Sequence, residues 1–142
     1  MVCLGNICRS PLAEGILQSK VEPDSVFVDS AGTGSYHIGN PPDIRSIAVA
    51  RKNGLNIENQ RCRQFKRSDF EKFDVIYAMD RSNYNNIVAL ARSQDQISKV
   101  KLLLEEVDFP QKEVPDPYWD DDGFEKVFRL IDTACEAIAK KF

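Results

Sequence analysis

Cys3 and Arg9 bracket five residues in the string "CLGNICRSPLAEG", which begins at Cys3. The Ser-Pro pair after Arg9 favours a helix start, so a thiol and a guanidinium fall at the two ends of one tight loop. If the backbone N–H groups between them curl inward, they form a concavity suited to a dianion, and the positive end of the following helix points at it. Phosphate fits such a cradle. Arg9 adds a planar fork that can hold two phosphate oxygens at once. The same surroundings favour thiolate over thiol at Cys3, which makes it a candidate nucleophile. Gly5 permits a tight turn, Asn6 tolerates a left-handed backbone, and the Ser10 hydroxyl can donate to the sulfur. Each residue also has a plainer reading: Ser10 and Pro11 as capping residues, Gly5 as an ordinary turn, Cys3 as a small hydrophobe. Cys8 lies in the same loop, so a reversible Cys3–Cys8 disulfide under peroxide is a further expectation.

The rest of the chain must position that loop. Apolar β-branched runs alternate with helical periodicity, the βα pattern of a parallel sheet. Leu12, Ala13, Ile16, Leu17 and Val21 fall at helical spacing after Arg9, with Ser10 able to cap. Residues 25–35 read as a short strand entering a small-residue loop, 41–55 as a helix stopped near Gly54, and Ser68 with Glu71 as a capping box for a brief helix. Strands are expected at 74–80 and 99–106, with a helix at 85–92 between them. Phe124, Val127, Phe128, Ile131, Cys135 and Ile138 line one face of a last helix. Only Met1 and Val2 precede Cys3, whereas a strand usually takes about five residues. The expectation is a first strand that continues upstream of Met1, the alternative being a genuine start with a very short strand.

The 142 residues suit a single domain, 42% of them hydrophobic and 29% charged. That composition is neither disordered nor membrane-spanning. The formal charge of −3 argues against nucleic acid as the main partner. No apolar leader opens the chain, so its four cysteines fit a reducing cytoplasm rather than a secreted disulfide framework. A zinc site is disfavoured: no Cys-x2-Cys pair exists and the sole histidine, His37, reads as a loop-surface residue.

The string "VCLGNICRSP", with "DSAGT" at 29–33, "GNPPD" at 39–43, "MD" at 79–80 and "DPYW" at 116–119, resembles the low-molecular-weight protein tyrosine phosphatase family, in the family's order and across essentially the whole chain. The resemblance implies an α/β fold: a four-stranded parallel sheet of order 2-1-3-4, helices on both faces, flavodoxin-like, with the site at the carboxyl ends of the strands. It implies two-step hydrolysis of phosphotyrosine with no cofactor and no metal, by a monomeric cytoplasmic enzyme. Cys3 would be the nucleophile, Arg9 the clamp on the phosphate, and Asp116 the general acid. The backbone through Leu4, Gly5, Asn6, Ile7, Cys8 and Ser10 would cradle the phosphate, with Asn6 and Ser30 bracing the loop and Ser10 steadying the thiolate. Tyr36, Tyr118 and Trp119 would wall the entrance, although a Tyr-Trp pair is as often a lid over core. Asp80 reads either as a carboxylate behind the site or as the solvated turn after a strand, and the run Asp120, Asp121, Asp122 as a solvated loop.

Related activities on the same fold supply the alternatives. Thiol-relay arsenate reductases need extra cysteines after strand three, and residues 79–98 contain none. Protein-arginine phosphatases of the family carry Thr where this chain has Ile7. A phosphotyrosine-binding module without turnover is disfavoured by the intact set Cys3, Arg9 and Asp116. Cys62 and Cys135 match no catalytic motif. The cluster Arg61, Arg63, Lys66 and Arg67 could touch an acidic substrate but reads by default as solvated surface.

Overall fold

Burial alternates along the sheet. In the computed structural model, which describes residues 1–142, Val2, Ile76, Ala78, Val100 and Leu102 join one apolar cluster, while Cys3, Tyr77 and Met79 join another. Successive strand side chains point to opposite faces, so this alternation means that both faces are covered.

The strands are β1 (Val2–Cys3), β2 (Ala31–Gly32), β3 (Ile76–Ala78) and β4 (Val100–Leu102). All pairings are parallel and the order is β2-β1-β3-β4, as expected. Parallel neighbours need crossovers, supplied by α1 (Arg9–Lys20), α2 (Ile44–Lys52), α3 (Asp69–Lys72), α4 (Arg81–Val88) and α5 (Gln94–Ser98). A 3-10 turn (Leu103–Glu106) follows β4, and α6 (Gly123–Ala139) closes the fold. Residues of α1, α2 and α6, among them Leu12, Ile16, Ala50, Phe128 and Ile131, fill one face. Phe65, Phe70 of α3 and Ile87 of α4 fill the other. The apolar stripe read on the last helix is buried at all six positions.

Several elements differ from the sequence expectation. Only Ala31 and Gly32 of the 25–35 segment pair as a strand. Upstream, the Gln18 side chain of α1 donates to the Val26 carbonyl and accepts from the Val28 N–H, replacing ladder bonds that a strand would make. The strand at 99–106 stops at Leu102 and tightens into the 3-10 turn. α4 begins at Arg81 rather than near 85, because the Asp80 carboxylate accepts from the Asn83 N–H and caps it. Ser68 makes no cap bond; the Asp69 carboxylate accepts from the Lys66 N–H instead. α5 was not expected, although Ser93 with Gln96 is the spacing of a capping box and Ser93 does cap it.

Candidate active site

Cys3 is the last residue of the central strand β1. The chain then turns, and the left-handed residue of the turn is Asn6, at φ 56°. Gly32 of β2 abuts this turn so closely that a Cβ there would lie 2.7 Å from the Leu4 carbonyl oxygen. Gly5 serves by its missing side chain, since a Cβ would sit 3.2 Å from the His37 ring.

Asn6 ties the loop to its surroundings. Its amide donates to Ser10 Oγ (2.8 Å) and Ser30 Oγ (3.0 Å), its Oδ1 accepts from the Arg63 N–H (3.0 Å), and its own N–H points at Cys3 Sγ (3.3 Å). The Ser30 hydroxyl passes its proton on to Glu14 Oε1 at 2.7 Å. Burial raises the pKa of Glu14, and the bond from Ser30 works against that rise. Ser10 is not the helix cap that its position suggested: α1 starts after Cys8 with no side-chain cap bond, and Ser10 Oγ lies 3.0 Å from Cys3 Sγ. Because the Asn6 amide donates to Ser10, the Ser10 hydroxyl proton is free for an acceptor, and the sulfur at 3.0 Å is nearer than the Ala31 carbonyl at 3.4 Å. No acidic residue occupies the first turn of α1, so its positive end faces the loop uncompensated.

Arg9 is almost fully buried, with a side chain 3% exposed. Its Nη1 donates to Asp80 Oδ2 (2.7 Å) and to the Val114 carbonyl (3.0 Å), which fixes the plane of the fork. Burial opposes its charge, but Cys3, Asp80 and Asp116 outweigh burial and raise its pKa. Asp80 thus takes the first of its two readings, a carboxylate behind the site rather than a solvated turn, and caps α4 as well, a role that its sequence reading did not include. Asp116 Oδ2 lies 3.8 Å from Arg9 Nη2, and its side chain is 40% exposed.

A cleft of about 350 Å³ joins Cys3, Leu4, Gly5, Ile7, Cys8 and Arg9 to Tyr36, His37, Asp116, Tyr118 and Trp119. Trp119 is 88% exposed and Tyr36 73% exposed, so neither is a lid over core; Tyr118 packs partly on the core, with Trp119 edge-on to it at 4.9 Å between ring centroids. His37 lines the cleft with its ring against Gly5, closer to the loop than a surface residue. Asn6, Ser10 and Ser30 stand behind the cleft as braces.

The other cysteines divide. Burial pushes Cys8 up to about 12 and Cys135 likewise to about 12, so both are protonated thiols at neutral pH. Cys62, matched to no motif, lies under the cradle and donates to the Asn6 carbonyl; burial pushes it up to about 11. Arg63 pairs with Asp29 and Asp69 rather than facing the cleft. Sequence reading also passed over Glu14, Asp43 and Arg45, whose contacts with Ser30, Ile7 and Tyr118 span long separations and leave no periodic signal. No group of three or more His, Cys, Asp or Glu side chains is placed to hold a metal ion, and no helix is long and apolar enough to cross a membrane.

A family model described as low molecular weight phosphotyrosine protein phosphatase matches residues 1–142. A low molecular weight phosphotyrosine protein phosphatase of Schizosaccharomyces pombe is 43% identical over 141 residues, covering 92% of this chain and 88% of that protein. The crystal structure of YfkJ from Bacillus subtilis, a low molecular weight protein-tyrosine-phosphatase by name, superposes with a TM-score of 0.91 at 38% identity, covering 99% of this chain and 90% of that one. The tyrosine phosphatase Wzb from Escherichia coli K30, solved in complex with sulphate, gives a TM-score of 0.87 at 33% identity, covering 99% of this chain and 94% of that one.

Proposed function

Given that the chain belongs to the low-molecular-weight phosphotyrosine protein phosphatase family and is a protein tyrosine phosphatase, we propose that Cys3, Arg9 and Asp116 carry its hydrolysis of phosphotyrosine. The observation that supports this assignment is the convergence of a thiol, a clamped guanidinium and a carboxylate on one cleft walled by aromatic rings.

In the first step the Cys3 sulfur attacks phosphorus and the P–O bond to the tyrosine ring breaks. A phenolate has a conjugate pKa of ~10, so it leaves as the phenol only when Asp116 donates a proton. Arg9 and the N–H groups of the cradle take the charge of the equatorial oxygens, and Ser10 donates to the sulfur as it is displaced. In the second step water attacks the cysteinyl phosphate, its proton returns to Asp116, and inorganic phosphate leaves with Cys3 regenerated. Tyr36, Tyr118 and Trp119 flank the phenyl ring, and the depth that they create is too great for phosphoserine. Ile7 offers the ring an apolar contact at the floor. Residues 1–142 act as one phosphatase domain, monomeric and cytoplasmic in this reading, which is supported by four unpaired cysteines.

The test is release of phosphate from an aryl phosphate with acid-quenched trapping of the phosphoenzyme. Wild type should hold covalent phosphate and turn over; Cys3→Ser should do neither. Turnover retained in Cys3→Ser would exclude the assignment.

A further inference from the structure

The loop that carries Asp116 has few ties to the rest of the molecule. Between residues 116 and 122, Tyr118 N donates to Asp116 Oδ1, Asp120 N to the Pro117 carbonyl, and Asp122 N to Asp120 Oδ1, all within the loop. Gly123 N, at the start of α6, donates to the Asp120 carbonyl; the two hydrogen bonds that reach more distant parts of the molecule both go to one guanidinium, Arg45 Nη1 donating to the Tyr118 carbonyl (3.1 Å) and to Asp121 Oδ1 (2.6 Å). The one other polar tie is the 3.8 Å pair of Asp116 with Arg9, whose guanidinium a bound phosphate would also claim.

The other side of Arg45 is anchored to the cradle. Its Nε and Nη2 donate to the two oxygens of Asp43 (3.0 and 2.9 Å), the fork-on-fork geometry that a lysine lacks. Asp43 is the N-cap of α2, and its backbone N–H donates to the Ile7 carbonyl at 2.8 Å. Three residues further on, Ser46 Oγ donates to the Cys8 carbonyl. The first turn of α2 is thus bonded to two carbonyls of the phosphate loop. The Arg45 guanidinium also lies over the rings of Tyr118 (5.4 Å) and Phe124 (4.6 Å), at both ends of the acid loop. Arg45 holds the Asp43 carboxyl below its ordinary range, and Asp43 and Asp121 together raise the pKa of Arg45.

We propose that Arg45 is a positioning residue that sets the acid loop against the phosphate cradle, so that it governs proton delivery to the leaving group and not phosphate binding. This rests on Asp116 as the general acid. α2 does not need Arg45 for its own capping, since Asp43 accepts from the Arg45 backbone N–H whatever side chain follows.

The test compares Arg45→Gln, Asp116→Asn and the double variant on phenyl phosphate and on an aryl phosphate of a strongly acidic phenol. Misplacing the acid should lower the Arg45→Gln kcat/KM on phenyl phosphate by about tenfold to a hundredfold. The kcat/KM for the acidic phenol should stay within about twofold of wild type, because that group departs without a proton and the hydrolysis step, common to both substrates, does not enter kcat/KM. Inhibition by inorganic phosphate should be unchanged, which also reports an intact cradle. In the Asp116→Asn background, Arg45→Gln should cost nothing further. Asp121→Asn, at an exposed position, removes only the partner on the loop side and should show the same bias at up to about fivefold. Equal losses for both leaving groups in Arg45→Gln and Asp121→Asn, or a full loss that persists without the Asp116 carboxyl, would overturn the proposal. A flat leaving-group response in Asp116→Asn alone would remove the acid assignment itself, and this proposal with it.

Discussion

Around Cys3 the residues that shape the cradle are buried: Asn6, Arg9, Ser10 and Ser30 are each no more than 5% exposed, with Asn6 bonded to Ser10 and Ser30 and Arg9 to Asp80 and the Val114 carbonyl. Across the cleft, Asp116 and Trp119 stand in solvent on a loop whose hydrogen bonds to more distant parts of the molecule run through one arginine. In the proposed mechanism both regions serve one reaction, but they have different tasks. The dianion must be met by dipoles already in place, because reorganising them during the reaction would cost part of what they supply. The acid must admit a whole tyrosine side chain before it can act, and a loop held at few points permits that.

The two regions should therefore fail differently. Arg9→Lys removes the fork from the buried region and should lower turnover by about 10³-fold or more, with good and poor leaving groups alike and with loss of inhibition by inorganic phosphate. Asp116→Asn acts on the exposed region: kcat/KM on phenyl phosphate should fall by about 10²–10⁴-fold, through kcat rather than KM, and the loss in kcat/KM should shrink for an acidic phenol. Equal losses for both leaving groups would make Asp116 a loop-holding residue and turn attention to Asp80 or to Asp120, Asp121 and Asp122.

Ile7→Thr, at the floor of the cleft, should change selection more than rate. The ratio of phosphoarginine to phosphotyrosine turnover should rise by up to about tenfold, since a branched apolar side chain crowds a hydrogen-bonding guanidinium but not a phenyl ring. An unchanged ratio would place selectivity in Tyr36, Tyr118 and Trp119. The smallest effect belongs to Cys8. If peroxide converts Cys3 to the sulfenic acid, attack by the Cys8 sulfur would form the disulfide and release water. Burial keeps that thiol protonated, so the step should be slow. Wild type should still regain more activity than Cys8→Ser when a thiol reductant follows peroxide; equal recovery would leave Cys8 as packing alone.

The cradle was legible because its parts are contiguous: Cys3 to Ser10 are eight neighbours in sequence, and Pro11 marks the helix that completes them. Asp116 and the aromatic walls were legible only through family resemblance, since nothing in "DPYW" by itself says which residue it will face. Arg45 was invisible for a physical reason. It stands beside Ile44 and Ser46 in an ordinary first turn, and its meaning lies in Tyr118 and Asp121, more than seventy positions away. The misplaced strands share another cause: Val26 and Val28 are half-buried and Leu103 and Leu104 buried without being paired in the sheet, and apolar pattern, not pairing, is what periodicity reads. Ser10 kept two readings because a hydroxyl at a helix start serves a cap and a thiolate equally well until the sulfur's position is known; it lies 3.0 Å from the sulfur and makes no cap bond.

The pairing of Cys3 within β1 also sets a timescale. The Cys3 carbonyl accepts from the Thr33 N–H and the Leu4 carbonyl from the Gly34 N–H, while β1 is flanked on both sides by other strands. Freeing the nucleophile from this ladder means opening the middle of the sheet, an excursion as rare as the unfolding of the core. The protons on Thr33 and Gly34 should consequently exchange with deuterium at the slow limit of the molecule, while those on Trp119 and Asp121, which make no ladder bonds, exchange at once. In the proposed mechanism the sulfur is stationary on the scale of a catalytic cycle, and the substrate ring comes to it.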